Sequence, residues 1–434
     1  MTVRETHTAG ETHRAIEATF RIERARLIAG LARVVRNIDL AEELAQDALV
    51  TALAEWPRVG VPDNPGAWMM SVAKRRAIDA LRRDTMRARK HEEIAETLNE
   101  ASDREAQAIE AAVLQKVWGD DVGDELLGLI FTACHPMLSP DARAALTLKV
   151  VGGLSIDEIA RAFLTSEATI AQRIVRAKKA IARAGLSFET PRGAERAARL
   201  PSVLEVVYLI FNEGYAATVG DDLVRPGLAQ EALRLGRILA GLMPDDSEVL
   251  GLLALMEIQA SRLSARAGPD GAFIPLTEQN RAGWDQLLIR RGLDALARAE
   301  ALAKEHGGGD GPYALQAALA ACHARARRAD ETDWPRIAAL YDRLRVAAPS
   351  PVVDLNRAIA HSMAFAPEAG LKLLDEIADA ASLRNYAPLP AARGDFLFRM
   401  GRLAEARSEF KAAAALTRNG REKAFLLARA DACG

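Results

Sequence analysis

The sequence predicts an all-α protein, and three observations carry that expectation. Apolar residues recur at helical spacing through almost the whole chain, and no stretch alternates as a strand does. Ala, Leu, Arg and Glu dominate a composition that is 50% hydrophobic, 27% charged and only 5% aromatic. That is the profile of packed helices, and it argues against β-sandwich, collagen-like and disordered classes. Capping residues, prolines and glycines also punctuate the chain where helices should start and stop. At 434 residues the chain has material for about two or three domains.

Residues 13–57 read as two or three amphipathic helices, broken near Asn37-Ile38-Asp39 and stopped at Trp56-Pro57. Val59 to Pro65 holds Gly60, Pro62, Asp63, Asn64 and Pro65, which is loop chemistry, and a helix is expected from about Gly66 to Lys90. These residues make a first domain over 10–90. A polar, acidic linker, partly helical, is expected over 91–123. The next domain spans 124–187. Ser139-Pro140-Asp141 offers an N-cap, a proline at the first helical position and an acid on the positive helix end. Ser155-Ile156-Asp157-Glu158 reads as a capping box ahead of Ile159, Ala160 and Phe163. Thr165-Ser166-Glu167 then starts a basic helix that ends near Gly185. A short helix, a tight turn and a longer basic helix form the helix-turn-helix layout.

The half from 195 to 434 is Ala/Leu-rich and repetitive. Gly394, Leu397, Gly401, Ala406, Phe410 and Ala413 are spaced as in a helical hairpin repeat of about 34 residues. Small residues there would let two helices touch, with an aromatic in the groove. Ala232 with Pro244, and Tyr341 with Pro349, suggest further units of a degenerate array. Loops are expected at Ala267–Thr277 and His306–Pro312.

Charge supplies the first functional clue. The net charge is only −2, yet it is unevenly spread. Eight basic residues lie between Lys74 and Lys90 against Asp79 and Asp84, and eleven acids lie from Glu92 to Glu125 against Arg104 and Lys116. Five cations then run from Arg173 to Arg183 without an acid. A recognition helix places its N-terminal side chains at base edges, here Ser166, Glu167, Ala168, Thr169 and Gln172. Arg173, Arg176, Lys178 and Lys179 could neutralise phosphates from the following turns. Ile170, Ile174, Ala177 and Ile181 share the opposite face and should be buried. The plainer reading is a surface helix of an all-α domain, but it leaves the cap, turn and charge together unexplained. In the 66–90 helix, Trp68, Met69 and Met70 precede the cationic strip. An aromatic beside cations suits unpaired DNA, where bases stack and phosphates need countercharge. Trp68 alone is as well read as core.

Other classes of function find little support. Three scattered cysteines (Cys134, Cys322, Cys433) make no disulfide framework, and no apolar run nears membrane-spanning length. A cytoplasmic protein is expected. The chain has no phosphate loop, nucleophile elbow or zinc helix. Cys134-His135 and Cys322-His323 read as packing residues before metal ligands. Glu213 and Tyr215 could line a small-molecule pocket, although a buried helix end accounts for them equally. No enzyme, metal or cofactor is expected.

Several stretches together resemble a known family. Glu42-Glu43-Leu44-Ala45-Gln46-Asp47-Ala48, Ala67-Trp68 and Arg76-Ala77-Ile78-Asp79-Ala80-Leu81-Arg82-Arg83 are similar to region 2 of bacterial extracytoplasmic-function sigma factors. Gly153-Leu154-Ser155-Ile156-Asp157-Glu158-Ile159-Ala160 and the following helix are similar to region 4. Ile210-Phe211-Asn212-Glu213-Gly214-Tyr215, Gly311-Pro312-Tyr313-Ala314-Leu315-Gln316-Ala317-Ala318, Asp333-Trp334 and Ser350-Pro351-Val352-Val353 resemble the subgroup with a tetratricopeptide-like extension.

The resemblance implies core RNA polymerase (its β′ clamp helices and β flap) and promoter DNA as partners, with a regulatory protein or ligand on the extension. It implies that Glu43, Gln46 and Asp47 dock on the clamp helices. It gives the Val59–Pro65 loop, with Asp63 and Asn64, and then Trp68, Lys74, Arg75, Arg76, Arg82 and Arg83 to the −10 element. The helix from Ser166 to Lys179 falls to the −35 element. Two alternatives stand beside it: a helical-repeat scaffold whose helix-turn-helix serves protein contacts, and an ordinary repressor of double-stranded DNA.

Overall fold

In a computed structural model the described residues are 9–92, 122–163, 165–215, 224–266, 268, 272–380, 383–417 and 419–434. They are helical, with no extended strand among them. The chain divides into two compact units, Met1–Val206 and Val207–Gly434. The acidic linker expected over 91–123 lies outside the described residues except at its two ends.

The first unit begins with α1 (Ala9–Val35), α2 (Ile38–Val59) and α3 (Pro65–Glu92), which pack on one another. Its core is a stripe at helical spacing: Leu27, Ile28 and Leu31 of α1, then Ala41, Leu44, Ala45, Ala48 and Ala52 of α2, and Met69, Ala73 and Ala77 of α3. Arg36 takes a positive φ of 52° in the turn after α1, and Asn37 Oδ1 accepts from Leu40 N at 3.1 Å to cap α2. The expected stop at Trp56-Pro57 is corrected: α2 continues to Val59 with Pro57 inside it. A proline in the last turn removes one helical hydrogen bond without ending the coil. Gly60, at φ 88°, ends it and donates to Trp56 O at 2.9 Å.

Helices α4 (Val122–Ala133), α5 (Pro140–Val150), α6 (Ile156–Ala162) and α7 (Glu167–Arg183) follow. Pro140 stands at the first position of α5 as expected, but the Ser139 side chain makes no capping bond. The capping box of α6 is complete, with Ser155 N donating to Glu158 Oε2 at 2.8 Å and Glu158 N to Ser155 Oγ at 3.4 Å. Ile170, Ile174, Ala177 and Ile181 are the buried stripe of α7, which packs on α5 and α6.

The start of α8 (Gly193–Tyr215) belongs to this unit and is bonded to α4 and α5. Arg199 Nη2 donates to Phe131 O at 2.9 Å, Ser202 Oγ to Cys134 O at 2.5 Å, and Arg143 pairs with Glu205 at 3.0 Å. The connector before it lies flat on α4. Thr190 Oγ1 donates to Asp124 O at 2.7 Å, and a Cβ on Gly128 would stand 2.2 Å from Phe188 O. Cys134 is buried, which pushes its thiol up to about 11.

In the second unit consecutive helices pack on each other: α9 (Pro226–Leu242), α10 (Ser247–Ala260), α11 (Gln286–Glu305), α12 (Pro312–Arg325), α13 (Trp334–Ala347), α14 (Pro351–Ala364), α15 (Pro367–Ile377), α16 (Pro388–Arg399), α17 (Leu403–Leu416) and α18 (Gly420–Asp431). The hairpin expected from 394 to 413 is α16 and α17, with Gly401 at φ 77° in the turn and Gly394 facing the Phe410 ring. Glu248 Oε2 accepts from Tyr313 N at 3.0 Å and Oε1 from Ala314 N at 3.1 Å, so a side chain of α10 caps α12.

His323 near the end of α12 sets an acid limit on this unit. Burial, reinforced by the charges of Arg262 and Arg281, lowers its pKa to about 4. The unfolded imidazole takes a proton near pH 6.5, so between pH 6.5 and 4 the unfolded state binds more protons. Stability from the neutral ring is therefore complete above pH 6.5, falls as pH drops through that window, and levels off below it. Denaturant unfolding at pH 7 and pH 4.5 should show an acid loss of about 2 kcal/mol from this residue. His323→Gln should reduce the difference by that amount.

Candidate nucleic-acid and polymerase interface

The end of α7 that the sequence assigns to base edges is built by its cap. Ser166 Oγ accepts from Thr169 N at 3.2 Å, which fixes where the helix begins. Ser166, Glu167, Ala168 and Gln172 are then exposed, with Thr169 half-buried. The cations behind them fall into two groups. Arg176 and Lys179 are exposed. Arg173 pairs with Asp141 of α5 at 3.1 Å, and Lys178 is held between Asp39 at 2.8 Å and Glu42 at 2.5 Å.

The Lys178 contact joins α7 to α2. Glu42 also accepts from Arg24 Nη2 of α1 at 2.7 Å, and Arg24 Nη1 donates to Lys149 O at 2.8 Å. The Lys178 side chain is only 11% exposed. Burial alone would lower its pKa, but hydrogen bonds to Asp39 and Glu42 outweigh burial and hold the ammonium above the usual lysine value. A second contact lies nearby, where a Cβ on Gly30 of α1 would stand 2.9 Å from Glu125 Oε2 of α4. Burial lowers Lys74 of α3, and the charge of Glu125 works against that lowering.

On α2, Glu43 and Gln46 are exposed and Asp47 is half-buried. Asp47 Oδ2 accepts from Arg76 Nη1 at 2.6 Å, and Arg76 Nη2 donates to Thr51 Oγ1 at 2.9 Å. A residue assigned to polymerase and one assigned to DNA are thus each other's partner. Each side chain is about 40% exposed, so the pair contributes about 1 kcal/mol or less. Arg75, Arg82 and Arg83 are exposed along α3, with Arg83 Nε donating to Asp79 O at 3.2 Å. Trp68 is half-buried, its ring edge-on to the buried Trp56 with centroids 5.3 Å apart. Asp63 is exposed, and Asn64 caps α3, its Oδ1 accepting from Ala67 N at 3.1 Å.

Two stretches match known domains: residues 20–87 match sigma-70 region 2, and residues 129–181 match sigma-70 region 4. The chain belongs to the sigma-70 family. In its sigma-70 region 2 lie most of α1, all of α2 and most of α3, and in region 4 lies the helix-turn-helix. Residues 199–300 match a family of unknown function (DUF6596). The chain is 40% identical over 408 residues to an uncharacterized protein of Rhizobium meliloti (strain 1021), covering 94% of this chain and 93% of that one. No solved structure matches. Among the described residues no group of His, Cys, Asp and Glu is placed to hold a metal ion, and no helix is long and apolar enough to cross a membrane.

Sequence reasoning missed Arg24, Asp39, Glu42 and Lys149, the residues that tie region 2 to region 4. Asp39 and Lys178 are 139 positions apart, and no local pattern pairs them.

The Asn64 cap separates folding from recognition at that position. Asn64→Ala should cost about 1 kcal/mol in thermal or denaturant unfolding, whereas Asn64→Asp should cost far less because aspartate caps as well. Equal losses for the two variants would show that the cap does not contribute.

Proposed function

We propose that this sigma-70 family protein is an extracytoplasmic-function sigma factor with a fused regulatory domain, working in the cytoplasm. It binds core RNA polymerase through the exposed Glu43 and Gln46 with Asp47, an acidic face for the β′ clamp helices, and through region 4 for the β flap. It reads the −35 element with Ser166, Glu167, Ala168, Thr169 and Gln172, and holds phosphates with Arg173, Arg176, Lys178 and Lys179. The loop at Asp63 and Asn64, with Trp68 and the cations Lys74, Arg75, Arg76, Arg82 and Arg83, handles the −10 element. The functional boundaries are 10–90 for region 2, 124–187 for region 4 and 195–434 for a tetratricopeptide-like regulatory domain. The observation that carries this reading is α7: a capped helix end with exposed side chains, and exposed Arg176 and Lys179 behind it, within a matched region 4. The Gly394–Phe410 hairpin supports the repeat character of the extension.

Transcription in vitro with core polymerase across a promoter library tests the whole. Promoter-dependent transcripts are expected. Their absence, with no co-purification of core polymerase, would favour a helical scaffold instead. Within region 4, Arg176→Ala and Lys179→Ala should weaken binding about equally on all sequences, as phosphate contacts do. Gln172→Ala should relax preference at one −35 position, by about 1–3 kcal/mol if its contact is bidentate. An unchanged preference profile would remove Gln172 from base reading.

If Lys178 reaches a phosphate, it must first leave its carboxylates. Asp39→Ala removes one of them while Glu42 keeps Arg24 as a partner. The variant should bind duplex promoter DNA more tightly than the parent in a fluorescence-anisotropy titration. Unchanged affinity would mean that Lys178 stays on α2 in the complex.

A further inference from the structure

Two arginines in the second unit, one buried and one half-buried, have no carboxylate partner among the described residues. Arg262 and Arg266 flank a short 3₁₀ turn (Leu263–Ala265) just after α10, and both guanidinium groups lie over the ring of Tyr215 at the end of α8. The Arg262 Cζ stands 5.2 Å from the ring centroid and the Arg266 Cζ 4.2 Å. Arg262 Nε and Nη2 both donate to Gln259 Oε1, at 3.1 and 2.9 Å. Arg266 is 8% exposed, and its Nε is buried without a hydrogen-bond partner. The Tyr215 Oη is likewise buried and unpartnered. Among the described residues no carboxylate pairs with either arginine.

Burial lowers the pKa of Arg262; Tyr215 works against that lowering, and the charges of Arg266 and Arg281 add to it. Arg281 is differently placed. Its Nη1 donates to His323 O and Ala326 O and its Nη2 to Thr332 Oγ1, and Asp330 and Glu331 lie within electrostatic range. It closes the end of α12, whereas the other two have no such task. A cation–π contact offsets part of the cost of burying a guanidinium, but an aromatic ring carries no net charge and leaves the N–H donors unsatisfied. The half-buried Arg262 guanidinium beside the buried Arg266, whose Nε has no partner, presents the forked geometry that carboxylates and phosphates accept.

We propose that Arg262 and Arg266, on the ring of Tyr215, form a binding site for a small molecule bearing a carboxylate or phosphate. The anion accepts from Arg266 and from Tyr215 Oη, and its charge relieves the repulsion between the two arginines. The site stands apart from promoter recognition, and its test reads binding on the chain itself.

Thermal unfolding of the full chain with succinate, or with inorganic phosphate, provides that test, with sodium chloride at matched ionic strength as the reference. At about five times the Kd the midpoint should rise by about 2–4 °C and saturate with concentration. A rise with succinate alone assigns a carboxylate ligand, and a rise with phosphate alone assigns a phosphate ligand. Arg266→Gln should abolish the response. Tyr215→Phe keeps the ring and removes only the hydroxyl, so it provides a milder variant, with Kd raised about 2–10-fold. No saturable rise with either anion, or an undiminished one in both variants, overturns the proposal.

Discussion

Helices in this chain meet through alanine, and much else follows from that constraint. Ala41, Ala45, Ala48 and Ala52 of α2 are fully buried, as are Ala299, Ala317, Ala321, Ala358, Ala406 and Ala413 in the second unit. A methyl group removes little apolar surface from water, so each such contact contributes little through burial alone. Short side chains instead let helix backbones approach closely, and many weak van der Waals contacts accumulate along each interface. At Gly251 of α10 the approach goes further, since a Cβ there would stand 2.6 Å from Ala314 N of α12. Interfaces of this kind tolerate enlargement poorly, because added atoms meet backbone and not a side chain that can turn away.

The same economy explains what was legible in the sequence. The stripe Ile170, Ile174, Ala177 and Ile181 stood out because α7 is amphipathic, with Val175 as its one large apolar residue outside the stripe. The box at Ser155 and Glu158 and the hairpin from Gly394 to Ala413 were equally plain, because their determinants lie within one or two helices. Pro57 misled because a proline near a helix end is locally indistinguishable from one that ends it; only Gly60 decides the matter. The exposed or engaged state of each cation could not be read. Arg173, Arg176, Lys178 and Lys179 look alike in sequence, yet Arg173 and Lys178 face carboxylates from other helices while Arg176 and Lys179 are exposed. The Arg262–Arg266 pair was invisible for a related reason, since nothing in a run of charge shows which side chains fold inward.

Charged residues in the first unit therefore have two occupations. Some only hold the fold, as Arg143 does between Ser202 and Glu205, and Arg199 does on Phe131 O. Others are cations proposed to meet DNA, but are neutralised by this chain's own acids: Arg76 by Asp47, and Lys178 by Asp39 and Glu42. Counting basic residues on α3 and α7 overstates the charge that these helices present.

The Lys178 bridge has a thermodynamic consequence of its own. A free cation that meets DNA displaces a condensed counterion, and the entropy of that release makes binding sensitive to salt. Lys178 would arrive already neutralised and would leave Asp39 bare and Glu42 with Arg24 alone, and Asp39 would gather a small cation as the phosphate gives one up. Ion release on one side is then matched by ion uptake on the other. A contact made through such an exchange adds to affinity while adding little to its dependence on ionic strength.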